Sequence, residues 1–415
     1  MDVTLSRADE QRVAADLDAL AKFSAGGPGC TRTLFSSAYN ESRSWVADRM
    51  RDAGLQVRRD AAGNLIGMLQ GEDPTAPALM LGSHTDTVRS GGNFDGVLGV
   101  LGALEMVRLL REGGHKPCHT ILVVDFLGEE ANDHGLTCLG SRCMTGELTA
   151  ADLDRPDAEG VTLGDQCAKA GLNPSAMINQ GWLRRHDVSA YLELHIEQGP
   201  VLEQRGVDVG VVTAIAGIER LIARFLGQAD HAGTMPMRDR RDALAAAAET
   251  VLAVRQLGCD AQGAGVATTS RVTALPGSPN VVPGSARLEA EMRSTDPVWL
   301  DTARAGLAQE VAAKAGALGV KVELDWVHDN QAQQLDDSLQ SVIIGAAESR
   351  GLSWAPIPSG ATHDAVHVAR RIPAAMIFVP SVDGRSHCPE EMTRLSDVTN
   401  GIDVLAHTVL ALDCR

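Results

Sequence analysis

The chain has 415 residues, 44% hydrophobic and 22% charged, which is typical of a globular protein with two domains. Its 37 basic and 54 acidic residues give a formal net charge of −17, which argues against nucleic acid or an anionic membrane as a partner. A polar N-terminal segment and eight scattered cysteines without a Cys-x-x-Cys pair predict a cytoplasmic protein. No apolar run reaches about 18 residues, so no membrane span is expected.

Helix and strand patterns alternate in the first half of the chain. Apolar periodicity predicts helices over 37–53 and 96–110, and strands over 65–70, 78–82 and 120–127. The strand at 120–127 is apolar on both faces, which is typical of a sheet covered by helices on both sides. The alternation therefore predicts an α/β fold with a mixed sheet between two helical layers.

The pattern changes near Val212. Strands are predicted over 218–227, 265–273, 286–293 and 320–327, with helices over 242–257 and 297–318. The order is βαββαβ, that of a small α+β domain. A helix at 337–350 and a strand at 374–379 then resume the earlier alternation. We therefore predict a larger discontinuous domain of residues 1–212 and 329–415, with a smaller domain inserted at 213–328.

Two candidate metal ligands come from the segment around the predicted strand 78–82. His84 follows that strand, and Asp86 shares its face of the extended chain, where it could orient the imidazole. By itself, such a pair is more often structural. Asp95 precedes a predicted helix, where aspartate is most often a cap, but its flanking glycines leave both carboxylate oxygens free to bridge two cations.

Further candidates also lie at or near strand ends. Glu129 and Glu130 follow the strand at 120–127, where adjacent acids need compensating positive charge; a metal ion could compensate one while the other acts as a base. His195 ends another apolar strand, and His387 follows the strand at 374–379. Active sites of open α/β sheets gather at such ends. Mixed N and O ligands suit Zn²⁺, Mn²⁺, Co²⁺ or Ni²⁺ and disfavour Ca²⁺.

These motifs resemble the amidase, hydantoinase/carbamoylase family of the metal-dependent aminoacylase and carboxypeptidase superfamily. The resemblance covers nearly the whole chain, through segments 82–87, 126–130, 194–200, 227–234, 280–284 and 359–365, and His387. A histidine at 195, where related peptidases carry an acid, is specific to the amidase branch.

The resemblance implies two divalent metal ions per subunit, Zn²⁺ or one of Mn²⁺, Co²⁺ and Ni²⁺. It assigns His84, Asp95 and His195 to one ion. It assigns Asp95, Glu130 and His387 to the other, so that Asp95 is shared.

The same resemblance implies the remaining site residues. Glu129 is expected to be the general base, Asp86 to take a catalytic role by orienting His84, and His231 to contact the substrate oxyanion. The other expected substrate contacts are Gln198, Asn280, Arg293, Ser359, Gly360 and His363.

Three segments depart from the family pattern. Thr362 stands where the family usually has glycine, and the segments 131–134 and 219–221 differ from the common forms. None includes a candidate ligand, so these departures concern the substrate rather than the metals. His134, in the first segment, lies near the acids but has no matching motif, and a structural role is favoured for it.

The function implied is hydrolysis of the carbamoyl C–N bond of N-carbamoyl-L-amino acids, giving the amino acid, CO₂ and ammonia. The substrate would be a small ureido compound with a carboxylate. The resemblance also implies that residues 1–212 and 329–415 form the catalytic domain, that the inserted domain at 213–328 is a lid and dimerisation domain, and that the protein is a cytoplasmic homodimer joined through it. The nearest alternative is an allantoate or ureidoglycolate amidohydrolase, which would use the same site. A non-catalytic protein that binds ureido compounds is a remote alternative.

Overall fold

The computed structural model describes residues 5–413, and none of its helices there is long and apolar enough to cross a membrane. Internal contacts divide the chain into two compact units. The larger unit comprises the chain up to Thr213 and from Leu335 onward, and the smaller unit is Ala214–Gln334. The second boundary lies beyond residue 328 because the antiparallel pairing within the smaller unit continues to Asn330, which lies opposite Ile218.

In the described range, the strands are β1 (Gln56–Arg59), β2 (Leu65–Leu69), β3 (Ala78–His84), β4 (Ile121–Phe126), β5 (Val188–Ile196), β6 (Val209–Ile215), β7 (Gly217–Leu226), β8 (Asp230–His231), β9 (Val266–Leu275), β10 (Val281–Val282), β11 (Ser285–Ser294), β12 (Lys321–Asn330), β13 (Gln333–Gln334), β14 (Trp354–Ser359) and β15 (Ala374–Val379). The α-helices are α1 (Glu10–Ala21), α2 (Ser37–Asp52), α3 (Val97–Glu112), α4 (Leu139–Thr145), α5 (Ala150–Leu153), α6 (Leu163–Lys169), α7 (Pro174–Ile178), α8 (Val201–Arg205), α9 (Ala243–Asp260), α10 (Pro297–Ala317), α11 (Asp337–Ser349), α12 (Ala365–Val368) and α13 (Leu395–Asp413). Short 3₁₀ helices occur at Trp182–Arg184, Met237–Asp239 and Val382–Gly384.

The large sheet has nine strands in the order β1-β2-β4-β3-β5-β15-β6-β13, with β14 also paired to β6. β4, β3, β5 and β15 run parallel, whereas the pairs β1–β2, β2–β4, β15–β6 and β6–β13 are antiparallel. Every residue of β3, β4 and β15 is buried, which confirms the prediction of a mixed sheet covered on both faces. The principal core joins this sheet to α1, α3, α11 and α13.

The smaller unit is a four-stranded antiparallel sheet in the order β12-β7-β11-β9. Its main elements follow the predicted βαββαβ order, with β8 and β10 as an additional short pair. α9 and α10 pack on one face through a separate apolar core. Asp242 caps α9, because its side chain accepts hydrogen bonds from the backbone N–H groups of Leu244 and Ala245.

Candidate metal centre

The candidate ligands lie at the edge of the large sheet where its parallel strands end. His84 is the last residue of β3, and His195 is the penultimate residue of β5. Glu130 follows β4, Asp95 lies in the loop between β3 and α3, and His387 follows β15. Because parallel strands place their carboxyl ends at one edge, residues distant in sequence meet there.

Asp95 lies between two groups of these side chains. Its Oδ1 is 3.2 Å from His195 Nε2 and 3.9 Å from His84 Nε2. Its Oδ2 is 3.1 Å from His387 Nε2, which in turn lies 3.4 Å from Glu130 Oε1. Within each group the three ligand-type atoms lie within 4.8 Å of one another. One carboxylate therefore presents a different oxygen to each group.

The backbone at Gly96 explains why Asp95 does not cap α3. Gly96 is the N-cap of α3, has φ 67°, and receives no side-chain capping bond. A Cβ at this position would lie 2.3 Å from His84 Nε2, closer than van der Waals contact permits. Glycine thus allows the helix to begin against the imidazole while the Asp95 carboxylate turns toward the histidines.

Glu391 holds the Asp95 loop in place through hydrogen bonds to its backbone. Its Oε1 accepts hydrogen bonds from the backbone N–H groups of Phe94, at 2.9 Å, and Asp95, at 3.1 Å. Its Oε2 accepts from Ser386 Oγ at 2.7 Å, and Ser386 Oγ also lies 3.0 Å from Asp95 Oδ2. A Cβ at Gly92 would lie 2.0 Å from Glu391 Oε1, so glycine leaves room for this carboxylate.

Backbone carbonyls orient two of the imidazoles. His84 Nδ1 donates to the carbonyl oxygen of Asp86 at 3.1 Å, and His195 Nδ1 donates to that of Ile196 at 2.9 Å. Each bond leaves Nε2 facing Asp95, the arrangement that a metal-binding histidine requires. The Asp86 carboxylate is 3.5 Å from His84 Nδ1, so the main orienting acceptor is the Asp86 backbone rather than its side chain.

The Asp86 carboxylate instead fixes the double acid. It accepts hydrogen bonds from the backbone N–H groups of Glu129, at 3.2 Å, and Glu130, at 3.0 Å. Glu129 Oε2 lies 3.6 Å from His84 Nε2, and Glu129 Oε1 accepts from Cys138 Sγ at 3.5 Å. Glu130 belongs to one of the two ligand-type groups and Glu129 to neither, so the adjacent acids occupy different chemical positions.

The combined effects of burial and neighbouring charges raise the pKa values of two acids and one histidine of this centre and lower that of the shared aspartate. Burial, together with the Glu130 charge, raises the pKa of Glu129 well above its ordinary value. Burial and the neighbouring Asp95 raise the pKa of Glu130 to about 7. Burial alone would raise the pKa of Asp95, but hydrogen bonds to His195 and His387 hold it well below its usual range. The hydrogen bond between His387 and Asp95 raises the pKa of His387 to about 9. The centre thus concentrates negative charge that bound cations would neutralise.

The donor set and its spacing fit divalent metal ions. The contacts of His195 and His387 with Asp95 and of His387 with Glu130 measure 3.2, 3.1 and 3.4 Å. Ligands about 2.0–2.1 Å from a tetrahedral ion lie roughly 3.3 Å apart. Imidazole and carboxylate ligands together are suited to zinc and neighbouring transition metals.

Gln198 lies at this centre. Its backbone is left-handed, with φ 58°, and its Nε2 donates to Asp95 Oδ2 at 2.7 Å. The same nitrogen is 3.4 Å from His387 Nε2. The structure therefore brings this predicted substrate contact against the shared carboxylate.

Ser359 and His363 lie behind His195. Ser359 Oγ is 2.8 Å from His363 Nε2, and the His363 ring stacks edge-on against the His195 ring with centroids 4.5 Å apart. Ser359 and His363 are 2% and 1% exposed, whereas Gly360 between them is exposed. Burial, reinforced by the charge of His195, lowers the pKa of His363 well below its usual value, so His363 is neutral there.

His231, Asn280 and Arg293 belong to the smaller unit. His231 lies on β8 opposite Val281 of β10, and the backbone N–H of the next residue donates to the Asn280 carbonyl at 2.9 Å. His231 and Asn280 are therefore neighbours, and both are exposed. Arg293 lies on the more exposed face of β11, where its Nε donates to Glu291 Oε1 at 2.8 Å.

Sequence reasoning missed two positions that support the centre. One is Glu391, for which the only signal was a pair of acids shortly after His387. The other is Glu193, which is fully buried and accepts hydrogen bonds from Ser83 Oγ, at 2.7 Å, and Tyr191 OH, at 3.0 Å. Because Glu193 and His195 are two residues apart on β5, the alternation of a strand places them on one face. That spacing was a usable signal.

The fold and this centre agree with the comparisons. Residues 80–411 match the model of Peptidase family M20/M25/M40, and the chain belongs to this family. The family is metal-dependent, in keeping with the clusters around Asp95. The solved structure of an amidase of the hydantoinase/carbamoylase family from Burkholderia vietnamiensis superposes with a TM-score of 0.89 at 32% identity, covering 100% of both chains.

Curated relatives define the class of reaction. The N-carbamoyl-L-amino-acid amidohydrolase of Paenarthrobacter aurescens is 36% identical over 99% of this chain and 100% of its own length. The ureidoglycolate hydrolase of Arabidopsis thaliana is 35% identical over 95% of this chain and 85% of its own length. Other matching relatives are named allantoate amidohydrolase. These findings confirm the resemblance to the hydantoinase/carbamoylase family, and the chain is a hydrolase that acts on C–N bonds in linear amides.

Proposed function

We propose that this protein hydrolyses the carbamoyl C–N bond of N-carbamoyl-L-amino acids to give the amino acid, CO₂ and ammonia. The observation that carries the proposal is the position of Asp95, whose two oxygens face separate groups of ligand-type side chains. His84 and His195 would complete the site for one divalent ion, and Glu130 and His387 the site for a second. The name of the Paenarthrobacter relative supports the substrate class.

Ions bound in these sites would polarise the substrate carbonyl and lower the pKa of an attacking water toward roughly 7. Glu129, held outside both ligand groups, accepts the proton of that water and delivers it to the departing nitrogen. Asp86 acts as a positioning residue, because it fixes the backbone from which Glu129 projects. Gln198 orients the shared carboxylate of Asp95.

The remaining substrate contacts of the proposal come from the smaller unit and from the segment 359–363 of the larger unit. His231 would stabilise the oxyanion, Asn280 would bind the ureido group, and Arg293 would pair with the substrate carboxylate through its planar guanidinium. Ser359, with Gly360 and His363, would contact the substrate beside His195.

We also propose a homodimer formed through the smaller unit. Its edge strand β9 carries exposed Val266 and Leu275, and the neighbouring α9 carries exposed Leu252. These side chains are 58–60% exposed, and an unpaired strand edge with apolar side chains is a common pairing surface. A cytoplasmic location is part of the same proposal and is supported by the reduced state of buried cysteines such as Cys30, Cys143 and Cys167.

Hydrolysis of allantoate or ureidoglycolate is the second candidate. It is supported by the relatives bearing those names, which match almost as closely as the carbamoyl-amino-acid hydrolases. The same metal-ligand residues would serve it, because these compounds also carry a ureido group.

Ammonia release by the metal-loaded protein tests the proposal. The panel comprises N-carbamoyl-L-amino acids, their D enantiomers, allantoate and ureidoglycolate. We expect turnover of the L compounds, its loss after chelation, and recovery with Zn²⁺, Mn²⁺, Co²⁺ or Ni²⁺. Full activity in metal-stripped protein, or ammonia only from allantoate or ureidoglycolate, would overturn it.

A further inference from the structure

Glu129, the candidate base, accepts two hydrogen bonds from one residue, Cys138. The backbone N–H of Cys138 donates to the Glu129 carbonyl oxygen at 2.8 Å, and its thiol donates to Glu129 Oε1 at 3.5 Å. Cys138 is fully buried and Glu129 is 6% exposed, so both bonds lie inside the protein. Cys138 therefore contacts both the backbone and the carboxylate of the residue that is to move the proton.

The backbone of Cys138 brings its N–H and its thiol to the same neighbour. It is left-handed, with φ 54° and ψ 40°, which is uncommon for a residue other than glycine. The next two N–H groups, at the start of α4, donate to the carbonyl oxygens of Gly128 and Leu127 at 2.9 and 2.8 Å. The first N–H groups of a helix have no partner within that helix, so these bonds fasten the start of α4 to the segment that carries Glu129.

The contacts of Glu129 hold it at three points and leave one carboxylate oxygen facing the metal centre. Its backbone N–H donates to Asp86 Oδ1 at 3.2 Å, while its carbonyl oxygen and Oε1 accept the two bonds from Cys138. Oε2 lies 3.6 Å from His84 Nε2, the nitrogen that faces Asp95. The terminal torsion of glutamate has broad minima, so a carboxylate without an anchor would rotate and exchange its two oxygens.

We propose that Cys138 is a positioning residue for the base, because its thiol anchors Oε1 so that Oε2 faces the attacking water. The inference rests on the proposed function, in which Glu129 accepts a proton from that water and delivers it to the departing nitrogen. Misplacing a reacting group by about 1 Å can lower a rate by about 10²-fold. Cys138 contacts neither the candidate metal ligands nor the candidate substrate contacts through its thiol, so its replacement should change kcat rather than KM or metal content.

A second cysteine of the same helix shows what a buried thiol does there without the base. Cys143 is also fully buried, and its thiol donates to the backbone carbonyl of Met177 at 2.9 Å and to Gln180 Oε1 at 3.2 Å. Neither acceptor belongs to the candidate metal centre. Cys143→Ala removes the same atoms as Cys138→Ala from a similarly buried position, so it is the matched control for the loss of packing.

The first measurement is steady-state ammonia release by metal-loaded Cys138→Ala. We expect kcat to fall about tenfold, within the range set by misplacing a reacting group, with KM and metal content at their wild-type values. Cys138→Gly is a second variant, because glycine adopts the left-handed backbone without steric cost, and it should show the same fall in kcat. Cys143→Ala should keep the wild-type kcat.

A double-mutant cycle shows whether the thiol acts through the carboxylate. In a Glu129→Gln background, Cys138→Ala should leave the residual rate unchanged, because the group that the thiol positions is already disabled. A general effect on packing would instead lower the wild-type rate and the Glu129→Gln rate by the same factor. The substrate is the compound of the ureido panel that the wild type hydrolyses fastest, so the cycle does not depend on the compound being a carbamoyl amino acid.

The outcomes separate this inference from the proposed function. A wild-type kcat in Cys138→Ala or Cys138→Gly, an equal fall in Cys143→Ala, or the same factor of loss in both backgrounds of the cycle overturns the positioning role while the proposed function stands. Loss of metal from Cys138→Ala overturns it as well, since the residue would then support the ligands. If the wild type releases ammonia from none of the panel, the proposed function is overturned and this inference with it.

Discussion

The two units differ in how deeply they bury most of their candidate site residues. In the larger unit, His84 and His195 are 2% and 1% exposed, and each is oriented by a backbone carbonyl. In the smaller unit, His231 and Asn280 are exposed. These two histidines are thus oriented before anything binds, whereas His231 and Asn280 keep exposed side chains that a substrate could reach. Preorganisation suits groups that hold ions, and adaptable contacts suit groups that respond to a substrate.

The sheets of the two units explain this difference. β3 and β4 are buried on both faces, so a polar side chain there must find a partner within the protein. β11 alternates buried and more exposed residues, so alternate side chains, including Arg293, lie on the face away from α9 and α10. Residues on the surface of such a sheet can contact a substrate.

Replacing Glu129 should give the largest effect on activity among these variants. Glu129→Gln keeps the shape and removes the proton shuttle, so kcat should fall about 10²- to 10⁴-fold. Both ions should remain, because Glu129 lies in neither ligand group. Metal content by mass spectrometry and ammonia release measure the two properties. Glu130→Gln is the control and should lose one ion; the opposite pattern would reverse the roles of the two acids.

Replacing Arg293 tests the smaller unit as a recognition surface. Arg293→Ala should raise KM about 10- to 100-fold, the scale of a charge-assisted hydrogen bond to the substrate carboxylate. Metal content should stay unchanged. Arg287 is a matched control, because it lies on the same face of β11 and pairs with Glu289 at 3.0 Å as Arg293 pairs with Glu291.

Arg287→Ala should leave KM at its wild-type value. An amide-capped carbamoyl amino acid adds a second measurement, since Arg293→Ala should reduce the preference for the free carboxylate. An undiminished preference would place the carboxylate contact elsewhere.

Replacing Glu391 tests whether its hydrogen bonds to the Asp95 loop organise the metal centre. Glu391→Ala should weaken metal binding about 10- to 100-fold, because residues that orient ligands contribute on that scale. Titration with a competing chelator measures the affinity. Glu390→Ala is the control, since Glu390 pairs with Arg385 on the surface. Equal affinities in the two variants would mean that the Asp95 loop keeps its conformation unaided.

His367 tests how a buried histidine makes the free energy of unfolding depend on pH, and replacing it should have little effect on turnover. Burial, against the opposing hydrogen bond to Glu147, lowers the pKa of His367 to about 4, and its Nε2 has no partner among the described residues. Because this pKa lies below the unfolded value of about 6.5, its contribution to stability is complete above pH 6.5 and is lost as the pH falls toward 4.

The loss should reach about 3 kcal/mol in the free energy of unfolding. Urea unfolding of wild type and His367→Gln at pH 7.5 and 4.5 measures it; glutamine can still donate to Glu147 but does not titrate. If wild type and His367→Gln lost the same free energy of unfolding between pH 7.5 and 4.5, His367 would not be the source of the loss.

Much of the fold follows from local pattern. The strand predicted at 374–379 is confirmed by β15, and the helix predicted at 297–318 by α10, because long periodic segments carry their own signal. The short helices α4–α7 were not predicted, since segments of four to seven residues are too short for a period to show.

The sequence by itself determined which residue types could form the centre: histidines and acids at strand ends, flanked by glycines. The orientation of Asp95 was decided only by the tertiary structure, because Gly96 packs against His84 and Glu391 reaches the loop from almost 300 positions away in the chain. Asn132 Nδ2 and His134 Nε2 lack a hydrogen-bond partner among residues 5–413, and this was equally invisible in the sequence, where such partners cannot be counted. Residue types show which chemistry a chain can perform, but the partners of a buried polar group depend on chain segments that meet only in the folded protein.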